Sequence, residues 1–270
     1  RTVKRALDLY AFGGTDLSGT KIVYVMVCDA LGNWATTNAS ILFVSDRRVL
    51  EVPTDYATIQ NAVDAAIPGD VVHVAPGIYS ENVTVAEGVT LLGSGPNKTI
   101  LTNQPCWITL RPRAKIEGFG GIILVGAIGP AMIANNVFVH GLYNVNIGNQ
   151  GRCVVRNNLF VNGVRGILVG QSADALIENN TFVNVEREAI LLPIATRGTH
   201  VEVLNNIFAF NGSGISEQNA DAYRHVFASY NTYWMNTNGN YSGSWTLSEA
   251  GETTADPDFV SPATGDFRLL

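Results

Sequence analysis

The sequence is poor in charge. Only 15% of its 270 residues are Asp, Glu, Lys or Arg, against roughly 25% in ordinary globular chains. That excludes a coiled coil and a highly charged disordered chain. Positive charge is scarcest: 17 Lys and Arg stand against 23 Asp and Glu, a net charge of −6. Nucleic acid and an anionic membrane surface are therefore not expected as main partners. No apolar run approaches the ~20 residues of a transmembrane span. Nor does an apolar stretch follow the opening Arg1 to Arg5, as a signal peptide would require; the start is expected to be a cut through a longer protein. Cysteine is rare too. Cys28, Cys106 and Cys153 show no metal-motif spacing and are expected to be buried, unpaired thiols.

What is abundant is turn chemistry: 27 Gly and 25 Asn, residues that tolerate positive φ. The asparagines carry an internal repeat. Asn135-Asn136-Val137-Phe138 recurs as Asn157-Asn158-Leu159-Phe160, Asn179-Asn180-Thr181-Phe182 and Asn205-Asn206-Ile207-Phe208, with a weaker copy at Asn231-Thr232-Tyr233. The second Asn recurs after 22, 22, 26 and 25 residues. The intervening segments are short, β-branched and broken by Gly and Asn. They lack the leucine offsets of leucine-rich repeats and the 3.6-residue periodicity of helical repeats. Coils of parallel strands about 4.8 Å apart fit them. On that reading Asn takes a left-handed corner and bonds its equivalent one coil away. Phe138, Phe160, Phe182, Phe208 and Tyr233 would stack inside. The same arithmetic aligns Arg152, Asp174 and His200 in one column and Arg156 with Glu178 in another, expected as surface ion pairs.

Upstream, Ile59, Ala62, Val63, Ala66 and Ile67 follow amphipathic-helix spacing, and Pro68-Gly69-Asp70 stops it. This helix is the expected cap on the open end of the solenoid. Residues 1–48 differ: a strand from Lys21 to Cys28, a turn over Asp29 to Asn33, and a strand from Trp34 to Val44 make a hairpin pattern. They are too few for a β-sandwich. The expected organisation is therefore a hairpin segment with linker, 1–48, followed by the solenoid, 49–270. The fold expected is all-β: a right-handed single-stranded parallel β-helix of roughly eight coils, with an N-terminal capping helix and a preceding β-hairpin.

The stretch VPTDYATIQNAVDAAIPGDVVHVAPGIYSENVTV at 52–85 resembles the opening of the pectin-lyase-like parallel β-helix superfamily. The repeats at 135–233 look like its generic repeats. DPDFVSPATGDFRLL at 256–270 is similar to the end of such domains in large bacterial surface and secreted proteins, and GTKIVYVMVCDALGN at 19–33 to the last hairpin of bacterial immunoglobulin-like domains. The resemblance implies an extracellular or cell-surface location. It implies no single activity, because the superfamily includes lyases, esterases, epimerases, tailspikes and catalytically silent adhesins. Gly77 to Glu81 matches the early motif of pectin methylesterases, but the later motifs carrying their catalytic aspartates and arginine are absent. So are the Asp-Pro-His motif of alginate epimerases and the acidic cluster of calcium-dependent pectate lyases.

Seven or eight residues past the second Asn lie Tyr143, Arg165, Glu186-Arg187-Glu188, and Ser213 near Glu217 and Gln218. An aromatic with Arg and Glu on successive coils suits a sugar chain, and Tyr143, Arg165, Arg187 and Glu188 are the candidate substrate-binding residues. The bland alternative is a solvated, ion-paired turn. Arg111, Arg113 and Lys115 alternate as on one strand face. The four histidines, His73, His140, His200 and His225, show no metal-ligand spacing, so neither metal nor cofactor is expected. The function expected is a module binding polysaccharide or another surface partner without turnover. The alternatives are a lyase or hydrolase of an acidic glycan, with catalytic residues unassigned, and a structural spacer.

Overall fold

The computed structural model describes residues 19–28, 34–43, 47–148, 152–194, 198–219, 225–243 and 250–269, with backbone only for 19–28, 34–43, 103–105 and 122. The chain forms two units, Arg1–Arg47 and Arg48–Leu270. In the first, Gly19–Cys28 pairs antiparallel with Trp34–Phe43, Gly19 opposite Phe43 and Cys28 opposite Trp34. The expected turn at 29–33, Val44, and Ser45 and Asp46 of the expected linker lie outside the described residues. One strand pair is what is shown; no immunoglobulin-like domain is.

The second unit is a parallel β-solenoid of about eight turns. Among the described residues its first face carries nine strands in chain order, from Val49–Val52 to Val226–Ser229. The second face runs from Gly77–Tyr79 to Thr232–Trp234, and the third from Val83–Val85 to Tyr241–Ser242. The long strands Thr99–Leu110 and Gly120–Ala127 join the second and third faces in the early coils. Alternation decides what faces in. On the first face one aliphatic file runs in register from Leu50 through Val72, Leu91, Ile133 and Ile177 to Ala228, all buried.

The repeated asparagines divide their work. The first of each pair, Asn135, Asn157, Asn179 or Asn205, is left-handed with φ of 54–56°; in the last coil Tyr230 takes that place at 58°. The second turns inward and is buried. Asn158 Oδ1 accepts the Asn136 backbone N–H at 3.0 Å, Asn180 Oδ1 that of Asn158 at 3.0 Å, Asn206 Oδ1 that of Asn180 at 2.9 Å, and Asn231 Oδ1 that of Asn206 at 2.8 Å. The ladder starts where Phe119 N–H donates to Asn136 Oδ1 and ends where Asn231 Nδ2 donates to Glu252 Oε1, both at 3.0 Å. Two residues on, Phe138, Phe160, Phe182, Phe208 and Tyr233 stack with ring centroids 4.6–5.0 Å apart and planes within 12°. Each such pair contributes about 0.5–1.5 kcal/mol beyond its buried area.

The cap is the helix Ile59–Ala65, with the Thr58 side chain accepting Asn61 N–H and Ile59, Ala62 and Val63 buried. Glu81, on the first complete coil, accepts Ile59 N–H at 2.9 Å and Gln60 N–H at 3.1 Å. The helix is shorter than its apolar spacing predicts: Ala66 is extended and Ile67 is 57% exposed, because Pro68-Gly69-Asp70 turns the chain back into the coil before Ile67 reaches the core. At the other end, Phe259 of the antiparallel pair Phe259–Ser261 and Asp266–Leu269 packs outside the second face with Val183 and Ala209. Cys106 and Cys153 are buried free thiols, as expected, and burial pushes them up to about 11 and about 12; the side chain of Cys28 lies outside the described residues.

Candidate functional site

The candidate residues sit at the corner leading into the third face. Val145 aligns with Ile167, and Ile167 with Ile190. The first step is 22 residues and the second is 23, so the corner after Val183 holds one extra residue. Glu188, rather than Arg187, therefore continues the file of Tyr143 and Arg165, and Ser213 follows Glu188.

Arg165 is held from both sides. Its Nε donates to Glu188 Oε2 at 2.6 Å and its Nη1 to Tyr143 Oη at 3.2 Å, and the guanidinium lies 5.3 Å from the Tyr143 ring centroid. The Arg165 and Glu188 side chains are only 11% and 10% exposed. Arg187 is 54% exposed, with one Nη 3.8 Å from Glu188 Oε1. The structure thus brings Tyr143, Arg165 and Glu188 into direct contact and leaves Arg187 at their edge. Glu186 is exposed. Glu217 belongs elsewhere: it lies four residues along its strand from Ser213, and its Oε2 accepts Tyr241 Oη–H at 2.7 Å. Glu188 turns back one coil and Glu217 forward one coil. They do not flank a common space as paired glycosidase carboxylates must.

The predicted charge columns are in register, Arg152 beside Asp174 beside His200 and Arg156 beside Glu178, but the ion pairs form elsewhere. Arg152 reaches Glu202 at 3.2 Å, which also lies 3.2 Å from His200 Nε2; among the described residues neither Arg152–Asp174 nor Arg156–Glu178 is an ion pair. Arg111, Arg113 and Lys115 do not share a strand face. The strand ends at Leu110 and the next begins at Lys115, Arg113 is left-handed at φ 64°, Arg113 pairs with Glu87, and Lys115 with Glu117.

A second polar set was not expected from the sequence. On the first face, His73 Nδ1 lies 2.6 Å from Glu51 Oε2, and His73 Nε2 lies 3.1 Å from Ser94 Oγ. The signal that finds it is the coil period carried upstream of the Asn pairs: 51, 73 and 94 are 22 and 21 residues apart. Among the described residues no group of three or more His, Cys, Asp or Glu could hold a metal ion.

Comparison with known proteins adds the following. Residues 175–270 match a family described as a domain of unknown function, DUF5123. No curated protein matches in sequence. Among solved structures, the alginate lyase from Paenibacillus sp. str. FPU-7 is similar at 15% identity and TM-score 0.46, over 76% of this chain and 95% of that one. The PL6 family alginate lyase AlyGC is similar at 16% identity and TM-score 0.39, over 72% of this chain and 40% of that one. Pectin methylesterase PemA from Erwinia chrysanthemi is similar at 11% identity and TM-score 0.42, over 84% of this chain and all of that one. The strand order by itself makes the chain a parallel β-helix.

Proposed function

We propose that the chain is a secreted or surface-exposed bacterial β-helix module that binds an acidic polysaccharide along the wall of Tyr143, Arg165, Glu188 and Arg187 without turning it over. The observation that carries this is the state of the two arginines. Arg165 is spent on Glu188 and Tyr143, so it serves as a fixed buttress rather than as a proton acceptor. Arg187 remains more than half exposed beside them, a cation placed to meet a carboxylate. A half-buried tyrosine next to an arginine gives a sugar ring an apolar face and a charge together. The immunoglobulin-like likeness of residues 19–33 fits a modular surface protein. The spacer reading draws on the same ion pairing, because a wall whose charges are satisfied needs no ligand.

A glycan array spanning acidic and neutral polymers separates these readings. The binding reading expects millimolar to micromolar affinity for uronate-containing chains, weakened by Arg187→Ala, with no unsaturated-uronate absorbance on pectin, alginate or glycosaminoglycans. Absence of binding to every glycan would remove it in favour of the spacer. Absorbance that grows with time, abolished by Arg187→Ala, would replace it with a lyase.

A further inference from the structure

The first face near the capped end carries a different chemistry. Inward Leu50, Val52, Val72 and Val74 are buried, so strand alternation turns Glu51 and His73 outward as register partners on adjacent coils. Ser94 follows directly on the third strand, Thr90–Gly93. The turn that presents it is tightly held. Ser94 N–H donates to Thr99 Oγ1 at 2.9 Å and Gly95 N–H to Gly118 O at 3.1 Å. A Cβ on Gly93 would lie 2.4 Å from Gly118 O, so only glycine lets the two coils meet there.

We propose that Ser94, His73 and Glu51 form a serine nucleophile relay acting on carboxylic esters, a site separate from the glycan-binding wall. The distances are those such a relay requires. A carboxylate at 2.6 Å from Nδ1 fixes the proton there and leaves Nε2 as the base, 3.1 Å from the serine oxygen. His73 and Glu51 are 31% and 40% exposed and Ser94 is half-buried, so all three residues of the relay meet solvent. Ser94 Oγ also lies 2.9 Å from Val74 O, and its proton swings from that carbonyl to Nε2 when it attacks. Oγ then bonds the acyl carbon while its proton passes to His73 Nε2. The bond to the alcohol oxygen breaks, and that oxygen leaves with the proton from Nε2. Water attacks the acyl-serine, giving a proton to Nε2; the carboxylic acid departs and Ser94 recovers its proton. Ser94 and His73 touch the reacting atoms, and Glu51 is a positioning residue.

The test is phosphonylation of the full chain by a fluorophosphonate, read by peptide mapping, alongside hydrolysis of p-nitrophenyl acetate. The relay predicts an adduct on Ser94, absent in Ser94→Ala, slowed about a hundredfold or more in His73→Gln, and slowed in Glu51→Gln with recovery in Glu51→Asp. Ser94→Cys should be alkylated at position 94 faster than a free cysteine, and lose that advantage with His73→Gln. Circular dichroism and melting checks that each variant is folded. A folded protein whose Ser94 takes no adduct, or takes it equally fast in His73→Gln, would overturn the proposal and make the three residues a structural ladder. Neither result depends on whether the other wall binds glycan.

Discussion

Asn180 Oδ1 accepts two hydrogen bonds from Asn158 one coil away, from its backbone N–H and from its side-chain Nδ2, both at 3.0 Å. Asn180 Nδ2 in turn donates to Val155 O at 2.8 Å. One buried amide therefore satisfies two main-chain groups of the neighbouring coil, which is why the second Asn of each pair cannot be traded for an apolar residue of similar size.

Asn180→Ala should accordingly lose about 1–3 kcal/mol for each buried group left unpaired, seen as a lower midpoint in urea unfolding. Its neighbour behaves oppositely. Asn179 is exposed and left-handed at φ 55°, so Asn179→Gly should stay within about 0.5 kcal/mol, whereas Asn179→Val should be clearly destabilised. Equal effects of Asn180→Ala and Asn179→Gly would contradict the division of labour.

A second left-handed file occupies the corner after the phenylalanines: His140, Asn162, Asn184, Phe210 and Met235. Met235 has φ 49° and is 66% exposed, so it bears the backbone cost with little packing in return. Met235→Asn should raise stability by up to about 1 kcal/mol, measured as a higher melting temperature; an unchanged or lower one would count against this reading of the corner.

The two arginines of the candidate wall should separate cleanly. Arg165→Ala strands the Glu188 carboxylate, whose side chain is only 10% exposed, and should cost about 3–5 kcal/mol. Arg187→Ala removes a half-exposed cation and should shift stability by less than about 0.5 kcal/mol. Urea unfolding of both variants checks this, and Glu188→Gln should soften the Arg165→Ala loss.

Acid should weaken the junction before the cap. Burial pushes the Asp70 carboxyl up, but the Arg48 side chain and the N–H groups of Ile67 and Arg48 outweigh it and hold it below the usual aspartate value. A depressed carboxyl contributes stability above its unfolded value of about 3.9 that is lost as pH falls through the folded value. Asp70→Asn should therefore be less stable than the parent at neutral pH, with the gap narrowing below about pH 4. A gap that is constant with pH would contradict the assignment.

The core was legible because identical residues mark identical corners. Five Asn positions and five aromatic rings, read as a period, gave the columns at 136–231 and 138–233 and the register of Arg152 with Asp174. The wall was only half legible. Counting seven or eight residues from Asn180 left the whole Glu186-Arg187-Glu188 run in the file of Tyr143 and Arg165, and a single extra corner residue gives that place to Glu188. Ion-pair choice was not legible, since a long arginine reaches past its register neighbour, as Arg152 does to Glu202. The Glu51–His73–Ser94 set escaped notice because its coils carry no Asn pair to mark their period.

The location of glycan binding is tested most directly by titrating an isotopically labelled protein with a short acidic oligosaccharide and mapping amide chemical-shift changes. The account predicts saturable shifts concentrated around Tyr143, Arg165 and Arg187 that fade in Arg187→Ala. Shifts centred on another face, or none at millimolar oligosaccharide, would contradict it.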